Sequence, residues 1–345
     1  MSIVSGVFGG VDTHADVHVA AAVDTNGGLL GIESFPTDDA EYRRLNEWLA
    51  EFGPVIRVGV EGTGSYGVGL TRHLHSGGVE VVEVARPNRQ RRRRLGKSDP
   101  IDAETAARAP LSGTARVVPK RRDGAVEQIR VLSVARRSAR VQRTATLNQL
   151  RQIVLTAPDA VRTRFKDRAR TGLVSEAAAM RPRKGHDPVA YTTLVVIRGL
   201  ARRIRDLDDE IAGIDDALKE LIDATAPSLH DCHGVGVDTA TTPLVAAGNN
   251  ADRLTSERSR AHLCGVSPVP AGSGKTSGRV RLNRSGNRQA NAALHRIVLT
   301  RMASDPETRN HVRRRSAQGL SKREIMRCLK RYVARQTYQH LPRAA

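Results

Sequence analysis

Between Val7 and Phe35 three strand-forming runs follow one another with no room for a helix between them, so the chain opens as an antiparallel meander. Val7 to Asp12 is apolar; Val17, Val19, Ala21 and Val23 alternate with other residues; Asn26-Gly27 supplies a hairpin turn before Leu29 to Phe35. The period then changes. Tyr42, Leu45, Trp48 and Leu49 recur at helical spacing over Asp38 to Phe52, and Gly53-Pro54 ends that helix. Ile56 to Val60 reads as a fourth strand, Gly67 to Ser76 as a helix, and Val79 to Val84 as a fifth strand.

Three antiparallel strands followed by alternating helix and strand is the order of an α/β RNase H-like fold, and that order has a chemical consequence. In such a sheet the first and fourth strands are neighbours, so Asp12 at the end of one and Glu61 at the end of the other can converge. Asp99 and Asp102 lie three apart, one above the other on a helix face. Phosphodiester chemistry with two metals needs oxygen ligands able to flank ions ~4 Å apart, and carboxylates on adjoining strands and a nearby helix meet that need. Helix capping accounts for the last pair equally well: Asp99 is a good N-cap, Pro100 a good first helical residue, and Asp102 falls near the positive end of the dipole. Asp16, Glu80, Glu83 and Glu104 are further carboxylates in the same region.

The 345 residues carry 56 Lys plus Arg against 36 Asp plus Glu, a net charge of +20 that attracts polyanions, with DNA or RNA first among them. Aromatic residues make up 3% of the chain, so stacking of bases on exposed rings cannot be the main mode of recognition. Cys232, Cys264 and Cys328 are far apart and lack zinc-ligand spacing, which fits a reducing compartment. No basic-then-apolar leader opens the sequence and no stretch reaches the ~20 apolar residues of a membrane span. A soluble protein that is not exported and has no membrane partner is expected.

Basic residues cluster in five places, one of them the Arg-, Lys-, Pro- and Gly-rich connection from Phe165 to Pro188 between two helices. Arg89, Arg91, Arg92, Arg93 and Arg94 form a run just before Asp99, read as a phosphate-binding loop with a solvated surface as the plainer alternative. Arg136, Arg140 and Arg143 make a one-sided stripe on the helix predicted from Val126 to Leu155, suited to a nucleic-acid backbone or to plain solvent. Lys275, Arg279, Arg281 and Arg284 lie within a Gly-, Ser- and Pro-rich stretch from Gly265 to Ser285, with Arg288 just after it, and are read as DNA phosphate contacts with a solvated basic loop as the plainer alternative. A final basic helix spans Ser321 to His340 with apolar Ile325, Leu329 and Val333. Two other segments have structural readings. Ile197, Leu200, Ile204, Leu207, Ile211, Ile214, Leu218 and Leu221 alternate spacings of three and four, the pattern of a coiled coil whose partner is the arginine-bearing helix or another subunit. His233 to Val237, with two glycines, fits either a helix-hairpin-helix phosphate contact or a tight turn. Gly272 to Thr276 mimics the end of a P-loop but has Val269 where the first glycine belongs, which argues against an ATPase.

The strings GVDTH around Asp12, VEGTGSYG around Glu61 and GKSDPIDAETAAR around Asp99 and Asp102 resemble the bacterial DEDD transposases of the insertion-sequence one-ten family. The later HGVGVDTATTPLVAAG and LCGVSPVPAGSGKTSGRVRLNRSGNRQANAALHRI are similar to that family's C-terminal transposase domain. The resemblance implies a RuvC-like DEDD metal-binding domain over residues 1–120, a coiled-coil and basic helical region over 121–226, and a mainly α transposase domain over 227–345. It implies a recombinase that cuts and rejoins element-end and target double-stranded DNA through a phosphoserine intermediate, guided by a structured non-coding bridge RNA. Asp12, Glu61, Asp99 and Asp102 become the ligands of Mg2+, and the protein a homo-oligomer, a dimer assembling to a tetramer on DNA. An ungapped alignment from Gly265 and Pro268 to Gly286-Asn287 places the nucleophile on Ser273; Ser277 and Ser267 are the alternatives if the loop is gapped. The competing reading is a metal-dependent, junction-resolvase-like nuclease that uses water.

Overall fold

The computed structural model describes residues 6–85, 98–185, 187–250, 253–254, 256–277, 280–283 and 286–341. Two compact units divide the chain, and sequence order does not separate them: the residues up to Val126 group with Ala246–Arg288, and Glu127–Val245 groups with Gln289–Leu341.

The first unit is built on a five-stranded mixed sheet. β1 (Val7–Thr13), β2 (Val17–Asp24) and β3 (Leu29–Pro36) form the expected meander; α1 (Asp39–Glu51), β4 (Val55–Glu61), α2 (Val68–Ser76) and β5 (Val81–Val84) follow. The strand order is β3-β2-β1-β4-β5, with β1 parallel to β4 and β4 parallel to β5. This is an arrangement that fits a DEDD, RNase H-like domain. The alternation of side chains sorts the two faces. Val7 and Val11 of β1 and Val58 and Val60 of β4 pack with Leu45 and Leu49 of α1 and Leu70 and Leu74 of α2. The opposite face of the sheet carries Val19, Ala21 and Val23, which pack with Ala103 and Ala107 of α3 (Asp99–Leu111).

Small residues bring α3 unusually close to that face. A Cβ on Gly10 would fall 1.9 Å from the Ala107 nitrogen and 2.4 Å from the Ala103 carbonyl oxygen, and one on Gly59 2.2 Å from the Ala106 oxygen. Only glycine on the strands and alanine on the helix permit backbone to meet backbone in this way.

The same unit takes in α9 (Glu257–Leu263) and the hairpin of β6 (Pro268–Pro270) and β7 (Val280–Leu282). Arg253 ties this segment down: its Nε donates to the Val118 carbonyl at 3.0 Å and its Nη1 to the Ala247 carbonyl at 3.0 Å.

The second unit is helical. Its helices are α4 (Gly124–Leu155), α5 (Asp159–Phe165), α6 (Arg170–Ala179), α7 (Pro188–Thr225), α8 (Val237–Ala247), α10 (Arg288–Ser304), α11 (Pro306–Ala317) and α12 (Lys322–Gln339). The apolar series of α7 is absorbed at its N-terminal half inside the chain, where Ile197, Leu200 and Ile204 pack with Leu150 and Val154 of α4, Phe165 of α5 and Leu173 of α6. At the glycine turn before α8 the Gly236 amide donates to Thr239 Oγ1 at 2.9 Å, so that amide is used within the turn. Among the described residues no helix is long and apolar enough to cross a membrane.

Candidate carboxylate site and basic surfaces

Asp12 and Glu61 share a face of the sheet because each stands two residues beyond a glycine that contacts α3, Gly10 on β1 and Gly59 on β4. The register puts Val11 opposite Val60, the residue before each carboxylate. A hydrogen bond from Thr13 Oγ1 to the Glu61 carbonyl, 2.8 Å, fastens the two strand ends together. Asp12, Glu61 and Asp102 are all buried, at 7%, 8% and 7% exposure. Helix α3 brings in the rest. Its cap position is Ser98, in extended conformation, and Asp99 is already helical, which departs from the expectation that Asp99 caps; Asp99 is thereby left to face the site.

His14 completes the arrangement and is the residue that motif reading passed over. Its Nε2 lies 3.2 Å from Asp12 Oδ2 and 3.5 Å from Asp99 Oδ1. One donor atom from each of Asp12, His14 and Asp99 falls within 4.8 Å of the others, a spacing one cation can bridge. The signal was present in GVDTH: two residues past Asp12, an imidazole beside a carboxylate at a strand end is a metal-ligand or base position. Burial pushes the Asp12 carboxyl above its ordinary range; the His14 ring opposes that, and the charges of Asp102 and Asp99 add to it. Buried acids of like charge are costly without a counter-ion, and this donor set of hard oxygens with one imidazole suits a divalent cation.

The candidate serines sit at different levels of the β6–β7 hairpin. Ser267 is half-buried at the base, where its carbonyl accepts the Asn283 amide at 2.9 Å. Ser273 is exposed on the connecting loop, just before a short helical turn at Gly274–Thr276, and Ser277 is exposed just after it. The base is locked by a backbone crossing: a Cβ on Gly286 would fall 2.1 Å from the Gly265 nitrogen, and the Asn287 amide donates to the Leu263 carbonyl at 2.6 Å. Lys275, Arg281 and Arg288 are exposed around this loop. Arg279 and Arg284, like Arg89, Arg91, Arg92, Arg93 and Arg94, lie outside the described residues.

On α4 the arginine stripe is divided in use. Arg136 forms a fork with Asp215 of α7, one arm of it at 3.2 Å, and reaches Asp238 of α8 at 3.1 Å. Arg143 forks onto Asp208 of α7, again with one arm at 3.2 Å. The two arginines and the two aspartates are each seven residues apart and run in opposite senses, as antiparallel helices require. Arg140 is exposed instead, and with Arg137 and Arg296 it lines a cavity of about 750 Å3 between α4, α8 and α10.

Two family models match this chain in order. One, a "Transposase" model of the DEDD IS110 type, covers residues 9–157, and the other, "Transposase IS116/IS110/IS902 family", covers residues 226–313. A curated relative, the "Insertion element IS900 uncharacterized 42 kDa protein" of Mycobacterium paratuberculosis, is 27% identical over 183 residues, which are 47% of this chain. The match spans 44% of that relative's own length.

Proposed function

We propose that this chain, which belongs to the IS110 family of insertion-sequence transposases, cuts and rejoins element-end and target DNA through a phosphoserine intermediate. The observation that carries the reading is the grouping of Asp12 and Asp99 with His14 beside the strand end that bears Glu61, in a chain that also matches the family's second segment. A RuvC-like domain at residues 1–120, a coiled-coil region at 121–226 and a transposase domain at 227–345 are the division this reading uses.

Ser273 Oγ is the nucleophile. It attacks a backbone phosphorus, the P–O bond to one strand's hydroxyl oxygen breaks, and that hydroxyl leaves with a proton; a hydroxyl from another strand reverses the step and frees the serine. A hydroxyl is weakly nucleophilic at neutral pH and needs a partner to take its proton. Asp12, Glu61, Asp99 and Asp102 would hold Mg2+, with His14 able to join the donor set, in which Asp12, His14 and Asp99 lie together. Bound there, the ion supplies Lewis acidity toward the phosphate oxygens. Thr13 keeps the strand ends bearing Asp12 and Glu61 in register, and α3 fixes the height of Asp99 and Asp102. Low aromatic content supports recognition through backbone and shape, with sequence choice left to a structured guide RNA, and assembly is as a dimer that becomes a tetramer on DNA. The setting is the bacterial cytoplasm.

The test is a denaturing gel of the full chain with element-end DNA, target DNA, guide RNA and Mg2+. A covalent protein-DNA adduct that disappears in Ser273→Ala is expected. Adducts that persist in that variant move the role to Ser277 or Ser267, and free cleaved ends without any adduct favour the nuclease that uses water.

A further inference from the structure

Helices α11 and α12 are joined by a turn whose geometry is set by its own backbone, and the His311 and Tyr332 rings meet edge to face between them at 5.8 Å. α11 ends in a glycine lock: the Gly319 amide donates to the Ser316 carbonyl at 2.9 Å, the Leu320 amide donates to the Arg315 carbonyl at 3.2 Å, and Gly319 takes φ +84°. α12 begins at once. Glu324 accepts from the Ser321 amide at 2.9 Å and from its hydroxyl at 2.7 Å, while Ser321 Oγ accepts from the Glu324 amide at 3.4 Å. A helix of 12 residues is thus joined to one of 18 by a stiff turn, Gln318 to Ser321. The second family match ends at residue 313, so α12 lies beyond it.

The two faces of α12 differ completely. Ile325, Met326, Leu329, Val333, Ala334 and Thr337 are buried. The other face carries Arg323, Arg327, Arg331 and Arg335, each one turn after the last; Arg331 is half-buried and the others are exposed. Glu324 is the acidic residue of α12 and is engaged in the cap. Exposed Arg309, Arg313 and Arg314 add to the charge from α11. Like charges one turn apart destabilise a helix, and a polyanion relieves that repulsion. α4 shows the internal solution to the same problem, with Arg136 and Arg143 facing Asp215 and Asp208.

We propose that α11 and α12 form a helix-turn-helix element that seats α12 in the major groove of double-helical DNA. A helix is ~10–12 Å across and the major groove of B-form DNA ~12 Å wide, whereas the major groove of A-form RNA is too narrow and deep to admit it. Arg323 and Arg327, near the N-terminus of α12, face the groove, and Arg335 meets backbone phosphate. This goes beyond the strand-transfer reading and does not rest on Ser273, because it shares no residue with the carboxylates or the serine loop.

Fluorescence anisotropy of the full chain with a labelled random-sequence DNA duplex tests it, with an RNA hairpin of similar charge in parallel. Relative to wild type, Arg323→Gln/Arg327→Gln is expected to bind the duplex ~10–100-fold more weakly, to flatten the log-affinity against log-salt slope by about 2, and to leave hairpin binding unchanged. Arg162→Gln/Arg164→Gln on α5 removes the same charge and is expected to leave the duplex slope as it is. Arg335→Gln, at the exposed far end of α12, gives an independent reading of about 1 in slope should the double variant unfold. A duplex affinity equal to that of the α5 control, or an equal loss on the hairpin, overturns the proposal; the second result assigns the face to RNA.

Discussion

The backbone nitrogen of Ala107 stands 1.9 Å from the point where a Cβ on Gly10 would lie. This contact sets the height of α3 above the sheet, and with it the distance from Asp99 and Asp102 to Asp12. Gly10→Ala cannot be absorbed by a side-chain rotation, since both partners are backbone. It is expected to cost roughly 1–3 kcal/mol or more, as overpacking does. Gly59→Ala, which meets the Ala106 oxygen, should behave alike. Urea unfolding curves check the cost; a loss of Mg2+ affinity larger than that of an equally destabilising change on the α1 and α2 side of the sheet, such as Leu74→Ala, would tie the contact to the site.

Asp12 is a buried acid held above its ordinary range by burial and by its neighbours' charges. A raised carboxylate pKa in the folded state means that the folded protein binds the proton more tightly than the unfolded chain. Stability from this group therefore falls as pH rises from the unfolded value of 3.8 through the folded one, and at neutral pH without a cation the charge is a burden. Asp12→Asn should raise the Tm of the metal-free protein at pH 7 while abolishing the further rise that Mg2+ gives the wild type. A lower metal-free Tm, with the Mg2+ response intact, would remove Asp12 from the ligand set.

His14 is the test of whether an imidazole belongs with the acids. Replacing it by Ala is expected to weaken divalent-ion binding by ~10–100-fold, the usual effect of removing a ligand-orienting group, with no loss of stability in the absence of metal. Isothermal titration with Mn2+ reads this directly. An unchanged affinity would remove His14 both from the ligand set and from any part in steering the Asp12 carboxylate.

Much of the first unit was legible because strand alternation and helix period are strong signals. Val17, Val19, Ala21 and Val23 marked β2, and the paired positions of Gly10 with Asp12 and Gly59 with Glu61 follow from the same period of two. What alternation cannot convey is contact between distant elements. The closeness of α3 depends on Ala103, Ala106 and Ala107 meeting two glycines, and small residues leave only a faint pattern in sequence. Capping competed with metal binding as the reading of Asp99 because Pro100 follows it, yet Ser98 takes the cap position and Asp99 is already helical. The arginine stripe of α4 looked like one surface. Its division required seeing that Asp208 and Asp215 repeat the seven-residue interval of Arg136 and Arg143 in the opposite direction.

His18 gives the molecule a second acid-sensitive point, buried in the sheet. Its ring stacks on Tyr42 at 5.7 Å and nearly parallel, and burial first, with the charge of His14 second, lowers its pKa to about 4. The unfolded chain therefore binds the proton more readily, so stability present above pH 6.5 is lost as pH falls toward 4. The shift corresponds to roughly 3 kcal/mol at the acid end. His18→Phe should flatten the fall in Tm across that window. An equally steep fall in the variant would place the acid sensitivity elsewhere.

The split within the α4 stripe makes the last expectation a comparison between neighbours. Arg143 is engaged with Asp208, whereas Arg140 is exposed on the wall of the 750 Å3 cavity with Arg137 and Arg296. If α4 contacts nucleic acid, Arg140→Gln should weaken binding several-fold and lower the salt slope by about 1, because it removes a cation with access to phosphate. Arg143→Gln should leave binding nearly unchanged and instead cost stability; being half-exposed, the pair it breaks is worth ~0.2–1 kcal/mol. A double-mutant cycle with Asp208→Asn measures that coupling. Equal binding losses for the two arginines would mean that Arg143 releases Asp208 when nucleic acid arrives, and the cycle repeated on the complex would then show the coupling gone.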